Sequence, residues 1–205
     1  MGRHREFDPD VVLGAVMDLF WERGYEGTSM ADIVSVTGVA APGLYAAFGN
    51  KQALFLRAVT LYEDRHLHFM RDALLQPTAR AVVDYLLTNN IRLLVDDNSP
   101  AGCLGINGAL AVSVGSEPVR NALVQRRLAS ERELCIRLEL AKRHDDFPDE
   151  LVPEDYARYI MTLIQGMAVQ AKSGATFAQL KRLADIALRV WPVSPEDDTL
   201  HTQVH

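Results

Sequence analysis

Residues 28–51 read TSMADIVSVTGVAAPGLYAAFGNK. Ser29 stands three residues before Asp32, the spacing of a capping box, so a helix begins at Thr28 or Ser29. Gly38 allows a turn that a Cβ would strain, and Pro42 falls in the first turn of a second short helix. Gly49-Asn50 stops that helix, and Asn50 is placed to cap the next. Ile33, Val34, Val39, Leu44 and Phe48 are the apolar positions through which two such helices touch, leaving Ala41, Pro42, Gly43, Tyr45, Ala46 and Ala47 on the outer face. Two short helices across a glycine turn form a helix-turn-helix, which puts its second helix into the DNA major groove. An ordinary helical hairpin shares the bare pattern, so at the level of spacing both readings stand.

Outward from this stretch the chain reads as helix throughout. Asp8-Pro9 opens a first helix as cap and first-turn proline, Val12, Val16, Leu19 and Phe20 form its apolar stripe, and Gly24 is placed to end it in the left-handed conformation. A fourth helix is expected from Lys51 to Leu75 and a fifth from Ala79 to Val95, then a loop over 96–102. A short sixth helix is expected from Cys103 to Val114, a long seventh from Ser116 to about His144, an eighth from Glu154 to Lys172 and a ninth, boxed by Thr176 and Gln179, to about Trp191. No strand alternation, repeat or low-complexity run appears. The expectation is an all-α fold of nine helices with a head over 1–51, a larger helical region over 52–192, and a polar, flexible tail over 193–205.

Composition narrows the function. The 205 residues are 48% hydrophobic, enough for a core in one domain or a small and a larger one. No window of 18 uncharged apolar residues suggests a membrane span, and MGRHREFDPD lacks the apolar core of a secretory signal. Cys103 and Cys135 do not make a disulfide framework, so a reducing cytoplasm is the expected setting. The net charge is −6, and residues 1–51 hold four basic side chains (Arg3, Arg5, Arg23, Lys51) against seven acidic ones. A DNA binder needs a local basic surface rather than a basic total, and Arg3, Arg5 and Lys51 flank the motif at its two ends. The deficit predicts weak non-specific binding with a modest salt slope per monomer. No phosphate loop, nucleophile elbow or triad signature is present, so an enzyme is not expected. His66, His68 and Glu63 fall short of a ligand set, and neither metal nor cofactor is expected.

The motifs RHREFD, LFWERGYEGTSMADIV and GVAAPGLYAAFGNKQALF over residues 3–56 resemble the DNA-binding head of the TetR family of bacterial transcriptional regulators. The nine-helix pattern of the remainder agrees generically with that family. The resemblance implies that Thr28 meets a phosphate through hydroxyl and backbone N–H, that Tyr45 places its hydroxyl on a phosphate, and that Lys51 meets the DNA backbone. It puts Ala41, Pro42, Gly43 and Ala46 where relatives contact bases, and Arg3 and Arg5 on an arm toward the minor groove. One departure matters: where many relatives carry polar recognition residues, this chain has Ala40, Ala41, Gly43, Ala46 and Ala47. Direct readout needs donors and acceptors, so thymine-methyl contacts, backbone fit and DNA shape are expected to carry specificity.

The resemblance also implies a ligand-responsive regulator, a repressor released from a double-stranded operator by a small-molecule effector. It would form a homodimer through its last two helices, whose Tyr159, Leu163, Ile164, Met167, Leu180, Leu183, Ala187 and Leu188, with Gly166, Ala168 and Ala171, would make the bundle. The same side chains serve equally to close a monomer core. Pocket candidates are Asn107, Gln165 and Tyr85 as polar residues on apolar helices, with Phe69 and Met161 as walls. Cys103 in AGCLGIN joins them, either as an exposed sensing thiol or as a small buried hydrophobe. Two alternatives stay open: an activator or ligand-independent regulator of the same fold, and a helical small-molecule-binding protein with a degenerate head.

Overall fold

The computed structural model describes residues 7–110 and 113–192. Ten α-helices run through them: α1 Pro9–Arg23, α2 Met30–Thr37, α3 Ala41–Phe48, α4 Lys51–His66, α5 His68–Leu74, α6 Ala79–Leu94, α7 Leu104–Asn107, α8 Glu117–Lys142, α9 Pro153–Lys172 and α10 Phe177–Arg189. There is no strand among the described residues, in keeping with the all-α expectation.

Local chemistry places most helix ends. The Asp8 carboxylate accepts from Asp10 N, the Ser29 and Asp32 groups complete a reciprocal capping box, and Thr176 with Gln179 forms a second. Asn50 Oδ1 accepts from Ala53 N at 2.8 Å and fixes the start of α4. Gly38 closes α2 in the left-handed conformation (φ 68°, ψ 3°). Gly24 departs from expectation: its φ is positive at 73° but its ψ of 176° is extended, so the chain leaves α1 without a left-handed cap.

α1 and α4 form the centre of the N-terminal half. α1 buries Met17 and Trp21 as well as its expected stripe, and α4 answers with Leu54, Phe55, Ala58, Val59 and Tyr62. α8 and α9 pair lengthwise, α6 lies between α5, α9 and α10, and α7 wedges among α1, α4, α8 and α9. One continuous apolar cluster links all of them. No single helix among the described residues is long and apolar enough to cross a membrane.

Two expected helices come out differently. The single helix expected over 51–75 breaks at Leu67, whose φ of −106° and ψ of 12° separate α4 from α5. No Gly or Pro marks that break; the turn carries Phe69 and Ala73 into the core beside α6. The sixth expected helix shrinks to the single turn of α7, and a 3-10 turn over Val114–Ser116 leads into α8. The tail over 193–205 lies outside the described residues.

Candidate nucleic-acid interface

α2 and α3 meet at a bend of 99°. Ile33, Leu44 and Phe48 are buried between them and the core, and Val34 and Val39 pack partly buried beside them. With that face sealed, α3 offers Pro42, Tyr45 and Ala46 to solvent, Ala41 half-buried beside them, and Tyr45 is 48% exposed. The surface is slim: one phenol among methyl and methylene groups, so a helix this bare approaches a groove floor closely. Gly43 is half-buried, and a Cβ on it would point at Val39 Cγ1 (3.3 Å) and the Phe7 ring (3.6 Å). Gly43 therefore makes room for Phe7, whose ring lies 6.4 Å from that of Phe48, and its side-chain direction is turned from the outer face. Arg3 and Arg5 lie outside the described residues.

Lys51 opens α4, where the first-turn amides have no intrahelical carbonyl to meet, an arrangement that favours an anion. Its ammonium sits over the Tyr25 ring, 4.3 Å from the centroid. Burial pulls the Lys51 pKa down, and the nearby Glu26 and Asp32 carboxylates push it back up. Arg57, which motif spacing did not single out, donates to Ala47 O at 3.3 Å and adds a cation at the C-terminal end of α3. Its only sequence signal is a basic residue on α4, six residues beyond Lys51.

Thr28 corrects the sequence reading. It has no exposed surface, its hydroxyl donates to Gly24 O at 2.8 Å and its N–H lies 3.4 Å from Tyr25 O. Both groups assigned to a phosphate are turned inward, and the exposed Ser29 takes the tip of α2.

The head is tied to the rest of the molecule through the segment around α7. Trp21 Nε1 donates to Gly102 O at 3.0 Å, and Tyr25 N donates to Gly108 O at 2.7 Å. Lys172 Nζ on α9 donates to Glu22 O at 2.8 Å. The Glu26 carboxylate accepts from Ser113 N (2.8 Å) and Ser113 Oγ (3.0 Å), and hydrogen bonds from Ser113 and Ser116 hold its pKa below the usual carboxylate range.

Behind α7 lies a cleft of about 60 Å³, walled by α4, α6, α8 and α9. It gathers Cys103, Met161 and Gln165 of the expected pocket residues, together with Glu63, considered above only as a metal ligand, and Asn90, Arg126 and Arg127, which the sequence did not single out. The other three are elsewhere. Phe69 is buried in the core, Tyr85 is half-buried away from this cleft, and Asn107 donates to Ala168 O at 3.3 Å beside Trp21 and Lys172. Cys103 is buried rather than exposed, and burial pushes its thiol pKa up against the Tyr62 hydroxyl and the Ile106 and Gly105 amides, which favour the thiolate. A low-pKa, accessible thiol is thus not what this fold supplies. Glu63 and Arg126 form an ion pair at the cleft, and Arg127 donates to Gly105 O at 3.0 Å.

The family model for bacterial regulatory proteins of the tetR family matches residues 12–58, from α1 into α4. Over 93% of its length the chain is 34% identical to the HTH-type transcriptional repressor ComR of Escherichia coli (strain K12), covering 92% of that protein. It is 27% identical to the HTH-type transcriptional repressor BdcR of the same organism, over 91% of this chain and 90% of that one. Among solved structures it is similar to the TetR family transcriptional regulator CifR, a cysteine mutant complexed with a 26-base-pair double-strand operator DNA. That similarity has a TM-score of 0.89 and 37% identity, over 93% of this chain and all of that one.

Proposed function

This chain belongs to the TetR family of bacterial transcriptional regulators, and from that premise we propose that it is a repressor released from its operator by a small-molecule effector. The observation that carries the reading is the exposed, slim α3 held at 99° to α2 in a head similar to one solved on operator DNA. Residues 1–51 form the DNA-binding domain and 52–192 the effector and dimer domain. Tyr45 and Lys51 hold phosphates, and Ala41, Pro42 and Ala46 read the groove by methyl contact and close fit. Gly43 allows that approach by packing Phe7 beneath α3, and Arg3 and Arg5 supply an arm for the minor groove. The protein works in the cytoplasm and is not an enzyme.

A homodimer through α9 and α10 brings two such heads onto a pseudo-palindromic site. The last two helices support it. Ile164, Met167, Ala168, Ala171, Leu180 and Ala187 face the monomer core, but Tyr159, Leu183, Ile186 and Val190 remain exposed on the other side, at 38%, 42%, 50% and 64%. A Cβ on the exposed Gly166 would meet nothing within 4 Å, leaving room for a close helix crossing.

Release follows as a population shift. The segment over 102–108 presents Gly102 O and Gly108 O to α1 and the turn after it, and Cys103, Gly105 and Ile106 to the cleft. A molecule that binds the cleft better in one arrangement of this segment biases the spacing of the two heads by its differential affinity alone. Selection of random DNA fragments on the purified protein tests the reading. Recovery of a near-palindromic motif bound by a dimer supports it, and sequence-blind binding at every salt concentration rejects it.

A further inference from the structure

The cleft behind α7 holds a polar group that the fold leaves unused. Asn90 sits on α6 among Val83, Leu86, Leu87 and Ile91, only 3% exposed, and its Nδ2 has no hydrogen-bond partner among the described residues. Buried donors are almost always satisfied, so an amide kept on an apolar helix face marks a group meant for something else. Asn90 lines the cleft. So does Arg127, which meets the Gly105 carbonyl but no carboxylate within 4 Å among the described residues, whereas neighbouring Arg126 is neutralised by Glu63. The cleft therefore carries one uncompensated positive charge and one spare donor. The rest of the wall is mainly apolar, from Leu67, Met70, Ile106, Met161 and Ile164, with Ser130 and Gln165 beside them.

We propose that this cleft binds a short-chain monocarboxylate, its carboxylate held by Arg127 and Asn90 and its alkyl tail against Met70, Met161 and Ile164. Charge selects the class. A neutral carbonyl satisfies Asn90 but leaves Arg127 without a counter-charge, and the second negative charge of a phosphate or sulfate dianion finds no second free cation among the described residues. Size favours a short tail: the cleft measures only about 60 Å³, well below the ~150 Å³ cavity that holds a benzene ring, so a long acyl chain finds no room in it. The proposal takes its link to DNA release from the regulator reading above; binding itself stands apart from that reading.

The test is a thermal-shift and calorimetric titration of the full-length protein with sodium propionate and butyrate, against propionamide and decanoate, at constant ionic strength and pH 7. The expected result is saturable stabilisation by propionate and butyrate and little by propionamide or decanoate. Arg127→Met and Asn90→Leu should each raise the half-saturating concentration by roughly 10-fold or more, the effect of losing a hydrogen bond to a charged group. Equal binding of propionamide, or no saturable shift with either carboxylate, overturns the site without recourse to any variant. Operator binding is measured separately: propionate binding without any operator refutes the regulator and keeps the site, and operator binding by a protein that takes up neither carboxylate does the reverse.

Discussion

Trp21→Phe probes the join between the helix-turn-helix head and the segment around α7. Trp21 is 2% exposed, edge-on to Tyr62 at 4.7 Å between ring centroids, and its indole N–H is the donor to Gly102 O. Phenylalanine keeps much of the aromatic packing and loses the N–H and the second ring. The carbonyl of Gly102 is then left buried without that partner, at a cost of about 1–3 kcal/mol. The missing ring leaves roughly 40 Å³, which adds ~1 kcal/mol at the usual cost per volume of cavity. The expected loss of stability is therefore about 2–4 kcal/mol, read by urea denaturation at matched protein concentration because a dimer's stability depends on it. Operator affinity, measured where both proteins are folded, should change less than about threefold, since Trp21 adds nothing to the outer face of α3. A stability loss below about 1 kcal/mol would refute the account of this bond and its packing. A large loss of operator affinity in a fully folded variant would refute the placement of Trp21 behind the interface.

Three further expectations concern the head. Tyr45→Phe should weaken operator binding by about 5- to 10-fold per half-site at moderate salt with an unchanged melting temperature, and unaltered affinity would remove the phenol from the contacts. Lys51→Ala should reduce the salt slope of binding by about one per half-site, so a slope equal to wild type would exclude a phosphate contact there. Glu26→Gln tests the tie to Ser113: a carboxylate whose folded pKa is depressed stabilises above its unfolded value and loses that contribution as pH falls through the folded pKa. The melting-temperature gap between wild type and Glu26→Gln should therefore be present at pH 7 and close toward pH 3, and a gap constant across that range would count against the tie.

Helix identity in this chain was decided by chemistry within a few residues. Ser29 with Asp32, Gly38, Asn50, and Thr176 with Gln179 each act on backbone groups one turn away, so their effect on helix ends was legible without any tertiary contact. The outer face of α3 was legible for the same reason, because Ile33, Leu44 and Phe48 fix which side of a short helix is sealed. What depends on distant partners was not. The break at Leu67 has no breaker residue and follows from where Phe69 and Ala73 find α6. Thr28 carries a hydroxyl suited to a phosphate, but the course of the chain after α1 turns it onto Gly24 O. Gly43 reads as groove-facing by position, yet a Cβ built on it would meet Val39 and Phe7.

The cleft shows the same division most clearly. Asn90 and Arg127 are 37 residues apart on helices whose apolar patterns say only that they are helices. Sequence spacing within a helix reports a face, not what faces it across the core. Packing of α4, α6, α8 and α9 around α7 brought a donor and a charge to one apolar hollow and sank Cys103 into the interior. The chain by itself determined an all-helical protein with a helix-turn-helix head, since those are outcomes of local hydrogen bonding and periodicity. Which polar groups were left unsatisfied beside a cavity, and which backbone carbonyls tie that cavity to the head, were decided by tertiary structure, because both depend on contacts between residues far apart in the chain.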